Sequence, residues 1–286
     1  RIKKRLKKPK IGSIKSMFRE AKKLERQGLW NEATDLYTTI LEKVPDDAHS
    51  HLALARLEAR REVKWQKNQK QSSSAQQAFE RGTKACPDSV HLWQAWAVYE
   101  ESRGNAARAH ELFERALALD PQNPYVCHAF GLYHKKLGET PRAMELFNVA
   151  LKSHSTAALV CSLGELLINQ NKLEDARTLY SAHLDRMKKE KDRIEVYLAS
   201  AWLEERYFQN FERARSLLNL ALELSPKSSL AHVALARLEG RMSQNAPKGA
   251  KSAAAKRLAD ACRDIEESGK RPSNPRDGRV FNALAQ

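Results

Sequence analysis

Residues 89–117 read SVHLWQAWAVYEESRGNAARAHELFERAL and contain two helical patterns separated by a short break. The large apolar residues of the first pattern recur at spacings of three and four: Leu92, Trp93, Trp96 and Tyr99. Gly104 and Asn105 interrupt this pattern, and a second apolar stripe follows: Ala109, Leu112, Phe113, Ala116 and Leu117. Pro121 cannot continue a helix, so the second helix is predicted to end before it. The stretch therefore predicts one helical hairpin.

The same frame recurs along the chain, marked by a small residue in the middle of each first helical pattern. These residues lie 33 to 42 positions apart and are Ala21, Ala55, Ala97, Gly131, Gly164, Ala201 and Ala236. A period in the thirties that is built from two helices is typical of a helical repeat array. The sequence therefore predicts an all-α fold, a right-handed α-solenoid of about seven helical hairpins.

The second helical patterns combine small and large side chains at spacings of four and three. The triplets are Ala33/Tyr37/Ile40, Ala75/Phe79/Gly82, Ala109/Phe113/Ala116, Ala143/Phe147/Ala150, Ala176/Tyr180/His183, Ala214/Leu218/Ala221 and Ala254/Leu258/Ala261. Four repeats are closed by prolines at 45, 87, 121 and 226. Because helices approach closely where Ala or Gly lies, we expect a neighbouring ring to fill the space beside each small residue. Core positions are accordingly predicted for Trp93, Trp96, Tyr99, Tyr133 and Phe147.

Two polar, basic insertions lengthen the period. Residues 61–70 (REVKWQKNQK) fall in the turn of the second repeat, and residues 243–249 (SQNAPKG) fall in the seventh. Insertions of this kind in repeat arrays map to loops, so both are predicted to be loops. Residues 1–12 are predicted to be a basic N-terminal arm and 269–286 a basic, extended C-terminal tail.

At these residues the chain resembles the tetratricopeptide repeat family, and more closely its half-a-TPR (HAT) branch. HAT repeats have an aromatic-rich first helix that ends in glutamate, and the corresponding residues here are Glu58, Glu100, Glu204 and Glu239. An Ala-Arg pair opens the second helix, as at 107–108, 176–177 and 214–215. Repeats four and five depart from this pattern, because His134 and Leu167 replace the glutamate.

The resemblance spans roughly residues 13 to 268 and implies both boundaries and a class of function. The implied repeats are 13–45, 46–87, 88–121, 122–154, 155–188, 189–226 and 227–268. HAT repeats occur mostly in RNA-processing machineries. The residue pattern of the repeats is similar to that of chloroplast HAT factors that bind and protect transcripts. The resemblance therefore implies a non-enzymatic protein of organellar RNA processing or stabilisation, or an architectural part of a ribonucleoprotein such as a ribosome.

The charge of the 286-residue chain is strongly positive and unevenly distributed. The formal net charge is +15. Residues 1–26 carry twelve Lys and Arg against Glu20 and Glu25, a net of +10, whereas residues 88–180 carry nine against eleven acidic residues, a net of −2. A concentrated positive charge favours a polyanion such as RNA, because each neutralised phosphate releases counterions. The alternative is a basic segment that is simply solvated or that targets the protein.

Several classes of function lack a motif in this sequence. Its apolar runs are far shorter than the ~18–20 residues of a membrane span, and no apolar run follows the basic N-terminus as a secretory signal requires. Cysteines 86, 127, 161 and 262 are far apart and are expected to be reduced structural thiols. Catalytic dyads, metal-ligand spacings and phosphate loops are absent, so no enzyme activity, cofactor, metal or small-molecule substrate is predicted.

Basic side chains at several levels of the array form a candidate RNA interface. In tetratricopeptide solenoids, positions one, four and five after the small residue line the concave side, and Trp202, Tyr125 and His128 share that register. Lysines and arginines there could track phosphates, with aromatic rings stacking on bases. The candidate residues are Lys3, Lys4, Arg5, Lys7, Lys8, Lys10, Lys15, Arg19, Lys22, Arg26, Arg56, Arg60, Lys64, Trp65, Lys67, Lys135, Lys136, Arg206, Arg237 and Arg241.

A protein scaffold is the alternative to an RNA-binding protein. The near-neutral middle repeats could bury the apolar surface of another subunit, as an assembly factor for a multi-subunit complex would. Expected partners are therefore single-stranded or ribosomal RNA and other protein subunits. The chain begins with Arg rather than Met, which fits a fragment or the loss of an organellar transit peptide. The expected compartment is an organelle, the chloroplast before the mitochondrion, with the nucleus as the alternative.

Overall fold

The computed structural model describes residues 11–65 and 74–242. In these ranges the backbone forms α-helices and one π-helical turn, and it contains no strand. The helices are α1 (Ile11–Gln27), α2 (Trp30–Lys43), α3 (Ala48–Trp65), α4 (Ser74–Ala85), α5 (Val90–Ser102), α6 (Ala106–Leu119), α7 (Pro124–Lys136), α8 (Thr140–Ser153), α9 (Ala157–Asn169), α10 (Leu173–Leu184), α11 (Glu190–Leu203), α12 (Phe211–Leu224) and α13 (Ser229–Met242); the π-helical turn is Glu204–Phe208.

Successive helices pair as hairpins, which confirms the predicted all-α repeat fold. α1 packs on α2, α3 on α4, α5 on α6, α9 on α10 and α11 on α12. The chain divides within α8 into two compact units, which we call unit 1, up to Leu146, and unit 2, from Phe147. Helix α13 occupies the first-helix place of the seventh repeat. The expected second helix of that repeat, around Ala254, lies outside the described residues.

The predicted helix ends are confirmed by the turns. Helices α2, α4, α6 and α12 each end two residues before a proline, as expected from the missing N–H of that residue. Gly104 and Gly138 adopt left-handed backbone angles (φ +83° and +79°) in the turns inside their hairpins. The corresponding turns of unit 2 use Asn171 (φ 60°) and Gln209 (φ 53°) instead, and such angles cost a side chain more than they cost glycine.

Small and aromatic residues pack against each other as the sequence predicts. All seven small residues that mark the first helices are buried. Gly164 of α9 is the tightest case, because a Cβ atom placed there would lie 2.6 Å from Cε1 and Cζ of Tyr180 in α10. Between hairpins, Phe79 stacks on Trp96 with ring centroids 6.3 Å apart, and Trp96 and Tyr99 are buried. Tyr133 and Phe147 are buried as well, whereas Trp93 is half-buried.

The prediction that residues 61–70 form a loop is partly wrong. Residues 61–65 continue α3 and do not form a turn. The reason lies in Glu62, which is buried and accepts hydrogen bonds from the backbone N–H of Ala75 (3.0 Å) and the hydroxyl of Tyr99 (2.7 Å). This carboxylate thereby caps the start of α4, and the extra helical turn is what carries it there. The insertion at 243–249, the N-terminal arm as far as residue 10 and the C-terminal tail lie outside the described residues.

Two further expectations concern thiols and membrane spans. Cys86, Cys127 and Cys161 are free thiols, as expected for structural cysteines. Across residues 11–65 and 74–242, every helix is too short or too polar to cross a bilayer.

Gly164→Ala is predicted to destabilise the protein by about 1–3 kcal/mol, because the new methyl group overlaps the ring of Tyr180 in a packed core. Gly240→Ala is the matched control, since a Cβ there meets no atom within 4 Å and alanine is the better helix former. Thermal unfolding followed by circular dichroism should show a lower Tm for the first variant and an unchanged or higher Tm for the second. Equal shifts would contradict the close packing of α9 on α10.

Candidate interaction surface

The first helices of consecutive hairpins lie side by side in unit 1, where α3 contacts α5 and α5 contacts α7. We use "first-helix face" for the positions one, four and five residues after the buried small residue of each first helix. In unit 1 the face includes Lys22, Glu25, Arg26, Arg56, Arg60, Val98, Glu101, Leu132, Lys135 and Lys136. In unit 2 it includes Glu165, Trp202, Glu205, Arg206, Arg237 and Arg241.

Ion pairs between neighbouring first helices recur on this face in one register. A carboxylate four residues after the small residue meets a cation five residues after the small residue of the next first helix. The pairs are Glu25 with Arg60 (2.5 Å), Glu101 with Lys136, and Glu205 with Arg241 (2.6 Å). Each pair ties two adjacent hairpins of the same unit together. The chain's own carboxylates thus occupy cations that the sequence alone assigns to RNA.

Glu25 is a buried carboxylate of the first-helix face in unit 1 with three polar partners. Its side chain accepts hydrogen bonds from Lys22 Nζ (2.9 Å) and the hydroxyl of Tyr37 (3.1 Å), and Arg60 completes the site. Burial alone would raise the pKa of Glu25, but the hydrogen bond and charge of Lys22, then Arg60 and Tyr37, outweigh it and lower the pKa below its ordinary value. Burial and the charge of Glu25 raise the pKa of Tyr37, which therefore stays a hydrogen-bond donor.

The π-helical turn buries two consecutive carboxylates in unit 2. Glu204 accepts two hydrogen bonds from the guanidinium of Arg177 (2.8 and 2.6 Å), and that guanidinium lies 3.6 Å from the ring centroid of Phe208. Glu205 binds Arg237 (2.8 Å) and Arg241 (2.6 Å) of α13. The wider π turn lets adjacent residues bind different neighbours, so Glu204 holds α10 while Glu205 holds α13.

The candidate RNA-binding residues fall into four groups. Five of them are ion-paired to the chain's own carboxylates: Lys22, Arg60, Lys136, Arg237 and Arg241. Five others are exposed: Lys15, Arg19, Arg26, Arg56 and Arg206. Lys135 is half-buried and interacts within the chain. The positions outside the described side chains are Lys3, Lys4, Arg5, Lys7, Lys8, Lys10, Lys64, Trp65 and Lys67.

Large apolar side chains are exposed on or beside the first-helix face. In unit 1, Val98 is 40% and Tyr125 is 62% exposed, and the ring of Tyr125 lies 6.1 Å from that of His91. In unit 2, Trp202 is 39% and Tyr207 is 43% exposed, with their rings edge to face at 5.6 Å. Half-exposed aromatic rings on a rigid helix are typical anchors of protein interfaces.

Sequence reasoning missed the carboxylates that matter most on this face. Glu25, Glu101 and Glu205 are separated from their cationic partners by 35, 35 and 36 residues. Each separation is one repeat period plus about one residue. The spacing of acidic and basic residues in the sequence therefore contained the information needed to predict these pairs. The glutamates predicted from HAT repeats behave differently: Glu100 and Glu204 are buried, while Glu58 and Glu239 are half-buried. Glu100 binds Trp96 Nε1 (2.9 Å) and the Asn105 side chain (2.6 Å) of its own hairpin.

The part of the chain with a described structure contains no group of three or more His, Cys, Asp and Glu side chains that could hold a metal ion. Hydrogen bonds and ion pairs to arginine or lysine instead account for the buried carboxylates described above. The first-helix face presents charged and apolar side chains.

Comparison with known proteins identifies the repeat within unit 1. Residues 90–132 match the tetratricopeptide repeat. The matched stretch covers α5, α6 and most of α7, where the small and aromatic pattern is clearest. None of the curated proteins matches the chain. The HAT branch and the similarity to chloroplast factors remain predictions.

Solved structures share the fold at low sequence identity. Pseudomonas aeruginosa pilF is 17% identical with a TM-score of 0.55, over 75% of this chain and 93% of that one. Yeast Tom70 is 18% identical with a TM-score of 0.63, over 95% of this chain and 54% of that one. A chain of the APC/C hetero-tetramer Cut9–Hcn1 is 16% identical with a TM-score of 0.54, over 93% and 48%. The chain thus spans about half the length of the last two.

Glu205→Gln is predicted to cost about 1–3 kcal/mol of unfolding free energy, because a neutral amide leaves two arginines without their shared carboxylate. The cost stays below that of a fully buried pair, since Arg237 and Arg241 are partly exposed. Glu111→Gln is the control: its exposed pair with Arg108 should contribute less than about 0.5 kcal/mol. Thermal unfolding of both variants tests this, and similar shifts would contradict the role of the buried carboxylate.

Glu25→Gln is predicted to lower stability at neutral pH but not in strong acid. The pKa of Glu25 is lower in the fold than its ordinary value of 4.5, so the charged carboxylate stabilises the fold above that pH. This stabilisation is lost as the pH falls through the lower, folded-state pKa. The Tm difference between variant and wild type should therefore be full at pH 7 and shrink below about pH 4. Glu20→Gln, an exposed position on the same helix, should show little difference at either pH.

Proposed function

We propose that this chain is a non-catalytic scaffold that binds another protein through the first-helix face. The observation that carries the proposal is a combination: most of the mid-chain cations of this face are paired to the chain's own carboxylates, and large apolar side chains are exposed on or beside it. Val98 and Tyr125 supply that apolar surface in unit 1, and Trp202 and Tyr207 supply it in unit 2.

The energetics of the face favour a protein over a polyanion. A phosphate that approached Arg60 or Lys136 would have to compete with Glu25 or Glu101, so fewer counterions would be released per contact. Burying an exposed aromatic ring gains about 25 cal/mol per Å² of apolar area. Aromatic anchors with polar residues at their rim are typical of protein interfaces. The Cut9–Hcn1 neighbour, which is a hetero-tetramer, is consistent with a repeat protein that has protein partners.

The experiment is affinity purification of the full chain from an extract of its source, with and without RNase, followed by mass spectrometry. A stoichiometric protein partner should be retained after RNase treatment. Recovery should fall by about fivefold or more in Trp202→Ala/Tyr207→Ala or in Tyr125→Ala, since truncating an anchor residue costs above 1 kcal/mol. Leu220→Ala is the matched control, because Leu220 is also 39% exposed but lies on the second helix α12.

Two results would overturn the scaffold function. Release of the partner by RNase would show that RNA bridges the two proteins. Equal recovery with all three variants and the wild type would show that the first-helix face is not the binding surface.

RNA binding in an organellar ribonucleoprotein, as in the HAT branch, is a second candidate. It is supported by the net charge of +10 in residues 1–26 and by three exposed cations of α1 that form no ion pair with a described residue: Lys15, Arg19 and Arg26. Titration of single-stranded RNA at several salt concentrations tests it, with the full chain and with a variant that lacks residues 1–10. A steep salt dependence that flattens on truncation supports this function. Absence of binding near physiological salt contradicts it.

A further inference from the structure

The first two hairpins carry an excess of positive charge that the rest of the first-helix face lacks. We use "α1–α3 cationic face" for six side chains on these two first helices: Lys15, Arg19, Lys22, Arg26, Arg56 and Arg60. Glu25 is the carboxylate among them, and it is buried. On the rest of the first-helix face the numbers of positive and negative side chains are closer: Glu101 pairs with Lys136, and Glu205 is shared by two arginines.

Four of the five cations of α1, Lys15, Arg19, Lys22 and Arg26, form a single stripe. They follow one another at spacings of four, three and four residues, which places them within about 60° of one another around a helix of 3.6 residues per turn. Lys15, Arg19 and Arg26 are exposed. They form no ion pair with a described residue, whereas Lys22 is bound to Glu25. The stripe extends over three turns of helix, with charges about 5–6 Å apart.

Helix α3 adds a second row beside this stripe. Arg60 meets Lys22 at the Glu25 carboxylate, with Arg60 Nη2 to Glu25 Oε1 at 2.5 Å. Arg56 lies one turn earlier on the same side of α3, and partial desolvation followed by repulsion from Arg60 lowers its pKa. One carboxylate therefore faces three cations at this point, so the local charge is not neutralised within the described part of the chain.

The apolar neighbours of this face suit a polypeptide. Val63 follows Arg60 by three residues, lies on the same side of α3 and is 81% exposed. Phe18, the aromatic residue of α1, is half-buried: its ring packs edge-on against Tyr37 at 5.7 Å, and Lys22 Nζ lies 6.0 Å from its centroid. The described side chains of the face thus offer an aliphatic contact and no exposed ring on which a base could stack.

We propose that the α1–α3 cationic face binds an acidic segment of the partner protein, in which Glu or Asp side chains alternate with apolar residues. The acidic side chains pair with Lys15, Arg19, Arg26 and Arg56, and an apolar side chain packs on Val63. This inference rests on the proposed scaffold function and names the chemistry of the partner. Complementary charge of this kind fixes the register of a partner and speeds its association.

The experiment measures binding of fluorescein-labelled probes to the full chain by anisotropy at about 150 mM NaCl, where charges are screened beyond ~8 Å. The probes are a peptide of repeating Glu-Glu-Leu, its Gln-Gln-Leu counterpart, and an oligo(U) of the same formal charge as the acidic peptide. The acidic peptide should bind about tenfold or more tightly than the neutral one. Arg19→Glu/Arg26→Glu should weaken that binding about tenfold or more.

The matched control is Lys152→Glu/Lys227→Glu, which changes the net charge by the same amount at exposed positions of unit 2. It should weaken binding by less than about twofold at this ionic strength, since neither lysine belongs to the α1–α3 cationic face and salt screens the effect of net charge alone. All four substituted side chains are exposed, so the circular dichroism spectrum and Tm should stay unchanged and the comparison reports binding. Val63→Asp, which places a like charge beside the acidic peptide, should weaken its binding as well.

Three outcomes would overturn the inference. Equal weakening by the two charge-reversal pairs would show attraction by net charge alone. Loss of oligo(U) binding in Arg19→Glu/Arg26→Glu with the peptide unaffected would assign the face to RNA. Equal affinity for the acidic and neutral peptides would exclude charge recognition. In each case the scaffold function is still supported if affinity purification recovers a protein partner whose binding depends on Trp202 or Tyr125. Failure of the acidic-segment inference can therefore be distinguished from failure of the scaffold function.

Discussion

The structure depends on the space beside each small residue of a first helix. Gly164 shows the constraint most clearly, because Tyr180 fills the volume where any side chain would stand. Rings then carry the packing from one hairpin to the next: Phe79 stacks on Trp96, and Phe113 stacks on Phe130 at 5.0 Å. Since a ring fits only where the neighbouring helix carries no bulk, these contacts set the register of adjacent hairpins.

That register determines what the charged side chains can do. Neighbouring first helices lie side by side. The residue four positions after the small residue of one helix therefore lies opposite the residue five positions after the small residue of the next helix. Glu25 and Glu205 occupy such positions and are buried, so each needs the cation that the register delivers. Part of the positive charge that the sequence places on this face is therefore taken up in internal ion pairs, and exposed apolar residues such as Trp202 lie beside them.

The positive charge that remains unneutralised is concentrated at the start of unit 1. Lys15, Arg19 and Arg26 project from one side of α1, and the nearest buried carboxylate already holds two other cations. The recognition we propose thus has two parts: apolar anchoring on the first-helix face and charge recognition at the first two hairpins. Neither kind of recognition involves a chemical reaction, and both would use side chains whose positions are fixed by helix packing.

The sequence by itself determined the helical hairpins, the helix ends that precede a proline, and most of the buried small and aromatic positions, because each depends on neighbours three or four residues away or on the backbone of a single proline. It also marked Trp96 and Tyr99 as core, since their periodicity is local. The tertiary structure alone decided that Glu62 extends α3 and caps α4, and that Arg60, Lys136 and Arg241 face carboxylates. These partners lie between 13 and 37 residues away, so only the packing of the hairpins brings them within reach.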